Sequence, residues 1–73
     1  MKYKRGDIIK VGPAYVGAGQ YQHDGWTGTF TVVGTIGGPG GPDYKLVRGV
    51  DPEAEEHEWQ VITHESRVPG VAP

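Results

Sequence analysis

Apolar and polar residues alternate in four stretches of this chain, and that period of two predicts strands. In Asp7 to Val11, Ile9 and Val11 fall on one face, with Ile8 and Lys10 on the other. Thr27 to Thr35 is the strongest stretch, with Phe30 and Val32 opposed by Thr29, Thr31 and Val33. Asp43 to Val50 sets Tyr44, Leu46 and Arg48 against Lys45 and Val47, and Glu58 to Thr63 sets Trp59 and Val61 against Gln60 and Ile62. Phe30 and Trp59, each in phase with buried aliphatics, are expected in the core.

The segments between these stretches carry turn residues. Gly12 to Gly25 has no sustained period and contains Gly12-Pro13, Gly17-Ala18-Gly19 and Asp24-Gly25, so it reads as a long connection. Gly37 to Pro42 reads as the tip of a hairpin. Asp51 to Glu56 reads as an acidic turn, with a short helix over Asp51 to Gln60 as the alternative because Pro52 follows an Asp N-cap. Thr63 to Ser66 predicts a helical turn capped by Thr63, followed by a fifth strand through Arg67 and Val68. One domain over 1–68 and a fraying tail over 69–73 complete this reading, since two prolines and a glycine in the tail oppose a ladder.

A chain of 73 residues buries only about 60% of the surface it exposes when unfolded, which leaves little room for a large cleft. Its 13 glycines and 6 prolines fit short strands joined by many turns. With no cysteine, there is no disulfide, thiolate metal ligand or cysteine nucleophile. No apolar run approaches the roughly 20 residues that span a bilayer, and no leader pattern opens the chain, so a soluble, cytoplasmic protein without a membrane partner is expected. The absence of asparagine beside abundant Gly, Val and Pro suits a GC-rich bacterial or bacteriophage genome.

Charge is unevenly spread although the total is -2. Lys2, Lys4, Arg5 and Lys10 make the start basic, whereas Asp51, Glu53, Glu55, Glu56 and Glu58 stand together without a basic neighbour. An acidic total lacks the basic excess that strong nucleic-acid binding requires.

Gly6-Asp7-x-Ile9-x-Val11, the glycine-rich connection, Gly25-x-x-Gly28-x-Phe30-x-x-Val33, Tyr44-x-Leu46 and Glu65-x-x-Val68 together resemble the SH3-like small barrels, especially KOW-type and related bacterial or phage barrels. The resemblance covers nearly the whole chain. It implies an all-β fold, a small SH3-like barrel of about five short strands with a short helical turn before the last strand. The connection from Gly12 to Gly25 is long for a KOW motif and carries tyrosines in place of basic residues.

No catalytic set stands out. His23, His57 and His64 have no zinc-ligand spacing, and Ser66, the lone serine, has no nucleophile-elbow context. Gly37 to Gly41 is followed by no Gly-Lys-Ser/Thr, and Arg5-Gly6-Asp7 reads as the turn into the first strand. Neither an enzyme, a metal nor a cofactor is expected. Tyr15, Tyr21 and Trp26, with Glu55 and Glu56 of the acidic turn, are the candidate contacts for an unidentified protein partner. The expected function is therefore a non-enzymatic protein-interaction or assembly module. The alternative is a KOW-like nucleic-acid-binding module using Lys2, Lys4, Arg5, Lys10, Lys45 and Arg48.

Overall fold

The computed structural model describes residues 2–12, 27–37, 40–68 and 70–71. They form an all-β fold of five strands: β1 Ile8–Val11, β2 Gly28–Ile36, β3 Asp43–Arg48, β4 Val61–His64 and β5 Gly70–Val71. Two short 3-10 turns, Glu56–Glu58 and Glu65–Arg67, precede β4 and β5 respectively. The strands make one antiparallel sheet in the order β4-β3-β2-β1-β5. Among the described residues β4 and β5 are its edges and do not pair with each other, so that hydrogen-bonded ladder is open.

Register explains the two faces. Ile9 pairs with Phe30, Val32 with Leu46, and Leu46 with Val61, which stacks these apolar side chains on one side. With Tyr3, Val11, Tyr44 and Val68 they form the main core. Tyr3 meets Tyr44 edge to face, ring centroids 5.5 Å apart. The opposite face of β2 and β3 carries a smaller cluster of Val33, Val47 and Ala54. A sheet packed on both faces buries successive residues, and Phe30, Thr31, Val32 and Val33 are all buried in β2.

A bulge in β2 shapes that second face. Val32 opposes Leu46 and Gly34 opposes Lys45, leaving Val33 as the extra residue. Gly34 leaves room there for Glu56: a Cβ would lie 3.0 Å from both Cγ and Cδ of that side chain, which would have to shift.

The inward and outward phases of the first three strands agree with the sequence pattern, and Phe30 is fully buried. Trp59 is not in the core: it is 43% exposed, because the chain leaves the Glu56–Glu58 turn at Trp59 and enters β4 only at Val61. The helical alternative for Asp51 to Gln60 reduces to that single 3-10 turn. His64, not Thr63, caps the second turn, its Nδ1 accepting from the Ser66 N–H at 3.1 Å. Arg67 belongs to this turn, and the last strand is Gly70–Val71, inside the segment expected to fray. It pairs with β1 through Ile9↔Val71 and Lys10↔Gly70.

Candidate functional site

The connection from β3 to β4 lies against the outer face of the sheet, held there by Thr31, Ala54 and Arg5. Gly49 has φ +86, a left-handed turn conformation that suits glycine. Thr31 Oγ1 donates to the Gly49 carbonyl at 2.7 Å and accepts from the Asp51 N–H at 2.9 Å. Ala54 is buried against Val33 and Val47. Arg5 reaches across from the N-terminal segment, its Nη2 donating to the Ala54 carbonyl at 3.1 Å and the Glu55 carboxylate at 3.0 Å.

This anchoring presents the acidic residues outward. The Glu58 carboxylate accepts from the Glu55 N–H, and the Glu58 N–H donates to the Glu55 carbonyl, closing the first turn on itself. Glu56 lies over Gly34 and accepts from Lys45 Nζ at 2.8 Å. The hydrogen bond and charge of Lys45 hold the Glu56 carboxyl below its ordinary range, so the support this pair gives the fold is complete above that range and is lost as pH falls through the lowered folded value. Asp51, Glu53 and Trp59 remain exposed on the same connection. Trp59 ends the turn, its N–H donating to the Glu56 carbonyl, while Gln60 starts the approach to β3 by donating its N–H to the Leu46 carbonyl.

The candidate contacts therefore divide. Glu55 and Glu56 share the anchored turn, each in an ion pair. Tyr15, Tyr21 and Trp26 lie outside the described residues. Trp59, assigned to the core by its alternation with Val61, joins the surface instead. The clue was the acidic Glu55, Glu56 and Glu58 immediately before it, a composition better suited to a solvated turn than to strand continuation.

The basic residues proposed for nucleic acid lie on the N-terminal segment, β1 and β3. Arg5 and Lys45 are paired with Glu55 and Glu56, and the Arg48 guanidinium lies 5.1 Å from the centroid of the Phe30 ring. Lys10 opposes Thr29 and Lys45 opposes Gly34, which puts them five positions apart along β2, about 16 Å at strand rise. Lys2, Lys4 and Lys10 are exposed.

His64 spends both ring nitrogens locally. Nε2 lies 2.9 Å from the Gly40 carbonyl, which can only accept, so Nε2 carries the proton and Nδ1 is the acceptor of the turn cap. Ser66 Oγ, 3.0 Å from Nδ1, belongs to this cap. No group of three His, Asp or Glu residues is placed to hold a metal ion among the described residues. No helix among them is long and apolar enough to cross a membrane. No family model matches the chain, and neither a curated protein nor a solved structure matches it.

Proposed function

We propose that this domain is a non-enzymatic protein-interaction module on an SH3-like small barrel, and that the outer connection from Asp51 to Trp59 is its contact surface. Support for the barrel reading comes from the meander β1 to β4, the 3-10 turn before the last strand and the return of β5 to β1. The observation that carries the functional reading is the exposed Trp59 at the end of an anchored, carboxylate-rich turn. An indole offers rigid contact area and a face for a cation, and Asp51 and Glu53 on the same connection have no ion pair among the described residues, so a basic segment of a protein partner suits this surface.

The nucleic-acid alternative is less well supported, because Arg5 and Lys45 are engaged by Glu55 and Glu56. The test is capture of partners from the source-cell lysate by the tagged domain, with and without nuclease, beside Trp59→Ser and Glu53→Lys. Both side chains are exposed, so both variants should fold. Protein partners that survive nuclease and disappear with either substitution support the assignment. Partners retained by both variants would remove this surface, and material lost on nuclease treatment would bring the nucleic-acid module forward.

A further inference from the structure

The N-terminal segment leaves β2 before β2 ends. The Gly6 N–H donates to the Val32 carbonyl and the Val32 N–H to the Asp7 carbonyl, both at 2.8 Å, and these are the last backbone bonds between the two segments among the described residues. A tight turn then carries the chain away. The Asp7 N–H donates to the Lys4 carbonyl at 3.0 Å, the Asp7 carboxylate accepts from the Lys4 N–H at 3.0 Å, and Gly6 takes φ +94.

β2 nevertheless continues to Ile36, with Gly34, Thr35 and Ile36 paired to β3 on its other side. Along the edge that faced β1, these residues have no strand partner among the described residues. A cleft of about 430 Å³ occupies the gap, lined by Tyr3, Lys4 and Arg5 on one wall and by Val33, Gly34 and Thr35 on the other, with Glu56 beside them. A half-paired strand bordering a cleft is a template for an added strand.

We propose that this cleft receives an extended acidic peptide, which pairs with β2 from Gly34 to Ile36 as an additional short strand. Three residues of extended chain span about 10 Å, the length of edge exposed here. Charge sets the preference. Arg5 is engaged by Ala54 and Glu55, and Glu56 by Lys45, whereas Lys4 lines the cleft, is exposed and has no ion pair among the described residues. A carboxylate on the incoming strand answers Lys4; a second cation does not. This site adjoins the outer connection at Glu56 but does not rest on the Trp59 reading.

The test titrates the labelled chain with acetyl-Val-Thr-Glu-Thr-Val-amide and with the same peptide carrying Lys in place of Glu, read by backbone amide shifts and amide exchange. Shifts should gather at Lys4, Arg5 and Gly34 to Ile36, and the Glu peptide should bind about two- to fivefold tighter, as expected for an exposed ion pair. Lys4→Glu should reverse that order, and Trp59→Ser should leave it unchanged. Lys4 contributes only backbone groups to the turn, its N–H and its carbonyl, so the variant keeps the local fold. No shift at millimolar peptide, shifts confined to residues away from the cleft, or an unchanged preference in Lys4→Glu would each overturn the proposal.

Discussion

Arg67 is the residue whose environment departs furthest from ordinary practice. It is 2% exposed, and its partners among the described residues are neutral: Nε donates to the Gly12 carbonyl at 2.8 Å, Nη1 lies 3.5 Å from Thr63 Oγ1, and Nη2 is buried with no acceptor among those residues. A buried guanidinium without a carboxylate forfeits hydration that these bonds only partly replace. Arg67→Met keeps much of the packing volume and removes the charge, so its thermal midpoint should equal or exceed that of the parent. Arg67→Ala should lose about 2 kcal/mol or more through the cavity it leaves. A scanning-fluorimetry series over the three proteins checks this, and a Met variant as unstable as the Ala variant would show that the charge itself is stabilising. Tyr44 gives a second residue-level expectation. Burial, and secondarily the carboxylate of Glu65 that accepts from its hydroxyl at 3.2 Å, raise its pKa above 10.0. The protonated phenol is thus favoured in the folded chain, and its contribution is complete below roughly pH 10 and is lost as pH rises through the higher folded value. Denaturant midpoints measured between pH 9 and 11.5 should fall more steeply for the parent than for Tyr44→Phe; parallel curves would contradict the assignment.

At the scale of elements, the strands were legible wherever a side chain's phase was set by burial. Ile9 and Val11 point inward from β1, and Tyr44 and Leu46 from β3, as the alternation predicts. The period fails at Trp59 because one 3-10 turn rotates the chain by other than a strand step, and nothing in the apolar spacing marks where that turn ends. It fails again at Arg67, whose buried charge looks like an exposed strand residue in the sequence. The last strand was hidden because Gly70 and Val71 hold their place through backbone bonds to β1, an interaction that side-chain patterning does not encode. Half of the candidate site was readable for a related reason. Acidity announced Glu55 and Glu56, but their ion pairs join residues distant in sequence, Arg5 with Glu55 and Lys45 with Glu56. The element with the most concentrated tie is the outer connection at Thr31, one hydroxyl serving both Gly49 and Asp51. Thr31→Val keeps the shape and leaves both backbone groups without that partner, so it should cost about 1–3 kcal/mol. Urea midpoints check the magnitude, and a loss near zero would mean that Ala54 and Arg5 hold the connection without it.

For the whole molecule, the order β4-β3-β2-β1-β5 concentrates pairing at the centre. Phe30 and Thr31 of β2 are paired on both sides, with β1 and with β3, and their side chains are buried. Among the described residues β4 and β5 are paired on one side only, and β5 has just two residues. A domain of this size has a total stability of about 5–15 kcal/mol at most, so its central ladder opens only when the whole fold does, whereas its edges can open at lower cost. Native-state amide exchange should therefore show the slowest class at the amides of Phe30 and Val32, protected up to the global unfolding free energy, and faster exchange at Gly70 and Val71. Removing the chain after Val68 should destabilise the fold modestly and speed exchange in β1 while leaving β2 and β3 the slowest. Equal protection across all five strands would instead mean that the short edge strand is integral to the cooperative unit, and that the sheet behaves in solution as a closed barrel whose two ends open together.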